Sequence, residues 1–195
     1  SKSRTPYLPY SCIILDEIMR VTNPRNIICS ISGLREGSLS IDYFKDVKES
    51  EIFHKALENI AKKRGDLGSN YKKYYDFIQP VFEGNEHFNK KLLYLACVLS
   101  HMDWGLGAFQ KAELVFQETI NTPLLRLTHK ERIQLALSCY WRYCSIKYNP
   151  KMEYLTFLNN NEIFSSKQVG AALRFSQSLT SISTIFLEEF KLYLS

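Results

Sequence analysis

Long hydrophobic runs are missing from this 195-residue sequence, and with them any segment approaching the roughly 20 apolar residues that a bilayer-spanning helix needs. The longest run, Leu92 to Leu99, ends in Ser100-His101-Met102-Asp103, so a membrane is not an expected partner. Glycine and proline are scarce, at 8 and 6 residues, which argues against extended disorder and low-complexity architectures. The 5 cysteines form an odd set without C-x-x-C spacing, which points to neither a disulfide framework nor a zinc knuckle. Most of them, Cys97 and Cys139 included, fall inside apolar periodic segments, where a reduced thiol packs like a small hydrophobe. There is no internal repeat and no sustained heptad register. The short apolar stretch after Ser1-Lys2-Ser3-Arg4-Thr5-Pro6 is broken by Asp16 and Glu17, the wrong shape for a secretory signal, so none is expected there. The expected compartment is the cytoplasm.

What is present is an ordinary globular composition, 45% hydrophobic and 23% charged, in a chain long enough to bury a substantial core. The charge is mildly basic, +5 at pH 7, with cations gathered at Lys62-Lys63-Arg64, Lys72-Lys73 and Lys90-Lys91. Such clusters suit a polyanion. The plainer alternative is that they keep helix faces solvated. A nucleic acid is not the expected partner, since Tyr71, Tyr74, Tyr75 and Phe77 follow helical spacing and serve a core better than they stack on bases.

Hydrophobic periodicity predicts a helix over Tyr10 to Val21, then, after Asn23-Pro24, a short buried strand over Asn26 to Ile31. Beyond Gly33, Leu34 to Phe44 reads as the start of another helix. From Glu51 the pattern becomes a succession of helices: Glu51 to Arg64, Ser69 to Phe82, Asn89 to His101, Phe109 to Ile120, His129 to Ile146 and Ser165 to Ser181. Gly, Asn and Pro punctuate them. Asn159-Asn160-Asn161 reads as a short loop. Alternation around Glu188-Glu189, between Ser183 and Leu194, predicts a small terminal hairpin or edge strand. The domain boundary is placed near Asp46 to Ser50, giving residues 1–46 and 47–195.

One block is more specific in spelling than in physics. Gly33-Leu34-Arg35-Glu36-Gly37 brackets a charged pair with glycines at the end of the expected strand, where polar groups collect and ligands often bind. Read with Leu8-Pro9-Tyr10 and Asn23-Pro24-Arg25-Asn26-Ile27-Ile28-Cys29-Ser30, it resembles the last helix and strand of the actin-like domain in Ppx/GppA phosphatases. Ala96-Cys97-Val98-Leu99-Ser100, Trp104, Glu113, His129, Arg132, Trp141-Arg142-Tyr143 and Gly170-Ala171-Ala172-Leu173-Arg174 extend the resemblance to the helical C-terminal domain of alphaproteobacterial members.

The resemblance implies a mainly α chain: a C-terminal remnant of an actin-like (ribonuclease H-like) α/β lobe, followed by an HD-like all-helical domain. It implies an exopolyphosphatase or guanosine-pentaphosphate phosphatase, acting on polyphosphate or guanosine pentaphosphate with Mg²⁺, in the cytoplasm and as a homodimer. The phosphate-binding loops and catalytic glutamate of such enzymes lie upstream of the position matching Ser1, so the chain by itself is expected to lack turnover. The residues it contributes to substrate binding are expected to be Arg35, Glu36, Lys62, Lys63, Arg64 and Lys111. Lys111 is the basic end of a stretch, Gly107-Ala108-Phe109-Gln110-Lys111, where relatives carry a more polar His-Pro-Asp-Tyr-Arg-like sequence.

An HD-type fold raises the question of metal at His87, His101, Asp103 and His129. In His101-Met102-Asp103 the two side chains would point about 200° apart on a helix, so no metal site is expected. No nucleophile elbow or Cys-His signature is found either. The alternative to a phosphatase is a non-catalytic helical module that binds a polyanion or a protein partner through its basic face.

Overall fold

The computed structural model describes residues 4–27, 33, 37–38, 55, 57–62, 70–84, 88–101, 105–122, 124, 127–148, 152–180, 186–190 and 192. The described residues are mainly helical and contain no strand. Two compact units divide the chain, Ser1–Ser38 and Leu39–Ser195. The boundary expected near Asp46 to Ser50 lies outside the described residues.

In the first unit a 3₁₀ turn, Thr5–Tyr7, runs into helix α1, Leu8–Thr22. Pro9 sits in its first turn, where a missing N–H is harmless, and Asn23 ends it in the left-handed conformation (φ 41°), returning its N–H to Met19 O at 2.8 Å. The strand expected over Asn26 to Ile31 falls largely outside the described residues; Asn26 and Ile27 have no regular structure. Gly37 N–H donates to Gly33 O at 3.1 Å.

The second unit is a helical bundle. Helical residues 57–62 precede α2 (Tyr71–Ile78), which a 3₁₀ turn, Gln79–Phe82, prolongs. Then come α3 (Lys90–Leu99), α4 (Ala108–Asn121), α5 (His129–Tyr143), the single turn α6 (Met152–Leu155), α7 (Asn160–Thr180) and the single turn α8 (Phe186–Glu189). Helix α5 is the centre: it packs against α3, α4 and α7. Its apolar residues Ile133, Leu135, Ala136, Leu137, Cys139, Tyr140 and Trp141 spread over about two thirds of its circumference, and from Arg132 to Arg142 every residue but Gln134 is buried. One core cluster joins α2, α3, α5 and α7 around Leu93, Leu95, Leu135 and Leu173. A second joins α4 and α5 around Phe116, Leu137 and Trp141.

Side-chain caps set the helix starts. Asn89 Oδ1 accepts from the N–H groups of Lys91 (3.0 Å) and Leu92 (3.4 Å) to open α3. Thr128 and Glu131 form a reciprocal box before α5: Thr128 N–H donates to Glu131 Oε2 at 2.8 Å, and Thr128 Oγ1 accepts from Glu131 N–H at 3.2 Å. Asn159 and Glu162 do the same before α7, at 2.8 and 2.9 Å. That box corrects the sequence reading, in which 159–161 was a loop and the helix began at Ser165.

A second correction concerns the chain end. Phe186–Glu189 is a helical turn, not part of a hairpin. Leu187 is buried in the larger core cluster while Glu188 and Glu189 face solvent, and Lys73 Nζ pairs with Glu188 Oε1 at 2.8 Å. Leu187, with Leu192 packed against the same cluster, anchors this segment.

Candidate functional site

Of the six residues expected to bind substrate, Arg35, Glu36, Lys63 and Arg64 lie outside the described residues. Lys62 is exposed at the end of helical residues 57–62, and Lys111 is half-buried in the first turn of α4. Leu57 and Ala61 beside Lys62 belong to the larger cluster, whereas α4, which carries Lys111, contributes Val115 to that cluster and Ala112 and Phe116 to the smaller one. Tyr71, Tyr74 and Phe77 are buried, with Tyr71 edge-on to Tyr94 at 5.3 Å between centroids, so α2 presents its aromatics to the interior. Burial, and then the Tyr71 hydrogen bond, hold the Tyr94 hydroxyl well above the usual tyrosine range.

The polar centre of the bundle lies elsewhere, at Arg142 in the last turn of α5. Its guanidinium is 1% exposed. Nε donates to Gln177 Oε1 at 3.0 Å, one terminal nitrogen to Ser100 Oγ at 2.5 Å and the other to His101 Nδ1 at 3.2 Å. Tyr74 and Tyr143 offer their ring faces, with centroids 5.7 and 5.5 Å from the guanidinium carbon. Tyr143 in turn donates its hydroxyl to Ser100 O at 2.6 Å. Thr180 gives its hydroxyl proton to Gln177 O at 3.1 Å, which makes Tyr74 the donor in its 2.8 Å contact with Thr180 Oγ1.

Every hydrogen-bond acceptor shown for this guanidinium is neutral, and a buried cation with neutral partners is ordinarily costly. Ser100 is the C-cap of α3, Gln177 lies in the last turn of α7, and Arg142 occupies the last turn of its own helix. Helix C-termini carry partial negative charge, so a position near the ends of α3, α5 and α7 offsets part of that cost. Two other arginines bond helix-end carbonyls directly. Arg132 donates to the carbonyls of Ile120, Thr122 and Leu124 at 3.2–3.4 Å, at and just past the end of α4, and Arg174 donates to Cys144 O at 2.9 Å, at the C-cap of α5.

No protein-family model and no curated protein sequence matches this chain.

The geometry at His101 bears directly on metal chemistry. A guanidinium can only donate, so His101 Nδ1 must accept, and in a neutral imidazole the proton is then on Nε2. The lone pair a metal would need is committed to Arg142, and a fixed cation stands 3.2 Å from it. The described residues contain no cluster of three or more His, Cys, Asp or Glu side chains able to hold a metal ion. Asp103 and His87 lie outside the described residues; His129 is an exposed first-turn residue of α5.

Cys97 is fully buried, and burial pushes its thiol well up, with Arg142 lowering it by a smaller amount. This thiol is not an activated nucleophile. A groove of about 260 Å³ opens between α3, α5 and α7, walled by Phe88, Leu92 and Val169 with Gln134, Ser138 and Ser166. Its lining carries no charge, and the Ser138 and Ser166 hydroxyls donate to their own helices, at Gln134 O and Glu162 O, both at 2.9 Å. Nothing there would hold a polyphosphate.

The sequence reading named Arg142 only within the Trp141-Arg142-Tyr143 resemblance and passed over Ser100 and Gln177 as polar contacts. The available signal was an arginine embedded in ten positions of α5 that have almost no polar outlet.

Proposed function

We propose that this chain is the C-terminal portion of an exopolyphosphatase or guanosine-pentaphosphate phosphatase, in which an actin-like remnant (residues 1–46) precedes an HD-like helical domain (residues 47–195). The Gly33-Leu34-Arg35-Glu36-Gly37 block and its flanks supply the family resemblance. The observation that carries the reading is α1. None of its residues is buried, yet Tyr10, Ile14, Leu15, Ile18, Met19 and Val21 form an apolar arc over about half its circumference. Ser11 and Thr22 fall inside that arc, and their hydroxyls donate back to Tyr7 O (3.0 Å) and Ile18 O (2.7 Å), which keeps the face apolar. Such a face suits burial against an α/β lobe of the kind the resemblance implies.

On this reading catalysis, with Mg²⁺ and an activated water, belongs to the upstream lobe. The helical domain contributes shape, cations such as Lys62 and Lys111, and a homodimer contact. The full reading frame that contains these residues, purified and folded, should release orthophosphate from polyphosphate or guanosine pentaphosphate in a Mg²⁺-dependent way, while residues 1–195 alone release none. A folded full-length protein without phosphate release, or a reading frame that encodes no α/β lobe before Ser1, overturns the proposal.

The alternative, a non-catalytic helical module binding a polyanion, draws support from His101, whose lone pair is committed to Arg142. It requires salt-sensitive binding of polyphosphate to residues 1–195, abolished by reversing the charges of Lys62, Lys63 and Arg64 together. Absent or salt-insensitive binding removes it.

A further inference from the structure

We draw no further inference here: the strongest candidate, the exposed apolar face of α1, carries none beyond the function already proposed, because nothing in the structure shows what covers it.

Discussion

Replacing Gly170 with alanine sets two effects of opposite sign against each other. Gly170 lies in the interior of α7 where that helix meets α5, and an alanine there improves helix propensity by about 1 kcal/mol. Against this, an added Cβ would stand 2.6 Å from Trp141 Cβ, 2.8 Å from Ser138 O and 2.9 Å from the Trp141 carbonyl carbon. Carbon contacts are comfortable from about 3.5 Å, so α7 would have to retreat by roughly 0.6–0.9 Å. None of the three obstructing atoms can swing aside, because two are backbone and the third is attached directly to it. Retreat also strains the bond from Arg142, the residue after Trp141, to Gln177, two turns beyond Gly170. Overpacking of this kind costs about 1–3 kcal/mol, and with direct backbone obstruction the upper part of that range applies. The net expectation for Gly170→Ala is a loss of about 1–2 kcal/mol, which for a chain of this length lowers Tm by roughly 2–8 °C. Thermal melts followed by far-UV circular dichroism read this directly. A Tm equal to or above that of the parent protein would mean propensity wins, and the close approach of α5 and α7 would be refuted.

Two further expectations rest on the same interior. Arg142→Met strands the neutral acceptors Ser100 Oγ, His101 Nδ1 and Gln177 Oε1; it should lower stability by about 1–3 kcal/mol in urea unfolding, whereas a loss below about 1 kcal/mol would show the guanidinium to be dispensable. Because burial raises the Cys97 thiol's pKa, its reactive thiolate is suppressed at pH 8 and recovered only on unfolding. Ellman's reagent should therefore modify exposed Cys12 in the native protein but reach Cys97 and Cys139 only in denaturant, and prompt native labelling at Cys97, located by peptide mapping, contradicts the assignment.

Among the described residues, four helices were legible from apolar spacing that persisted for ten residues or more. Tyr10 to Val21, Asn89 to His101, Phe109 to Ile120 and His129 to Ile146 all correspond to helices whose ends differ by a few residues. The ends moved where capping chemistry outranked hydrophobicity. Asn159 with Glu162 starts α7 ahead of its first apolar turn, a signal carried by polar residues that periodicity ignores. The terminal segment was misread because four or five alternating residues are compatible with either period, and only the burial of Leu187 decides between them. The Arg142 centre was not legible for a different reason. Its partners are 35, 41 and 42 residues away along the chain, and neither a lone glutamine nor a lone serine announces which helix end it will meet.

Those separations carry a consequence for how the bundle assembles. Arg142 gains its hydrogen-bond partners only when the ends of α3 and α7 have both met α5, so no two-helix subset offers it a finished home. A partly docked intermediate would carry a dehydrated charge facing a gap. The arrangement penalises half-built states and favours a single concerted transition, making one side chain a checkpoint for the completeness of the whole helical body.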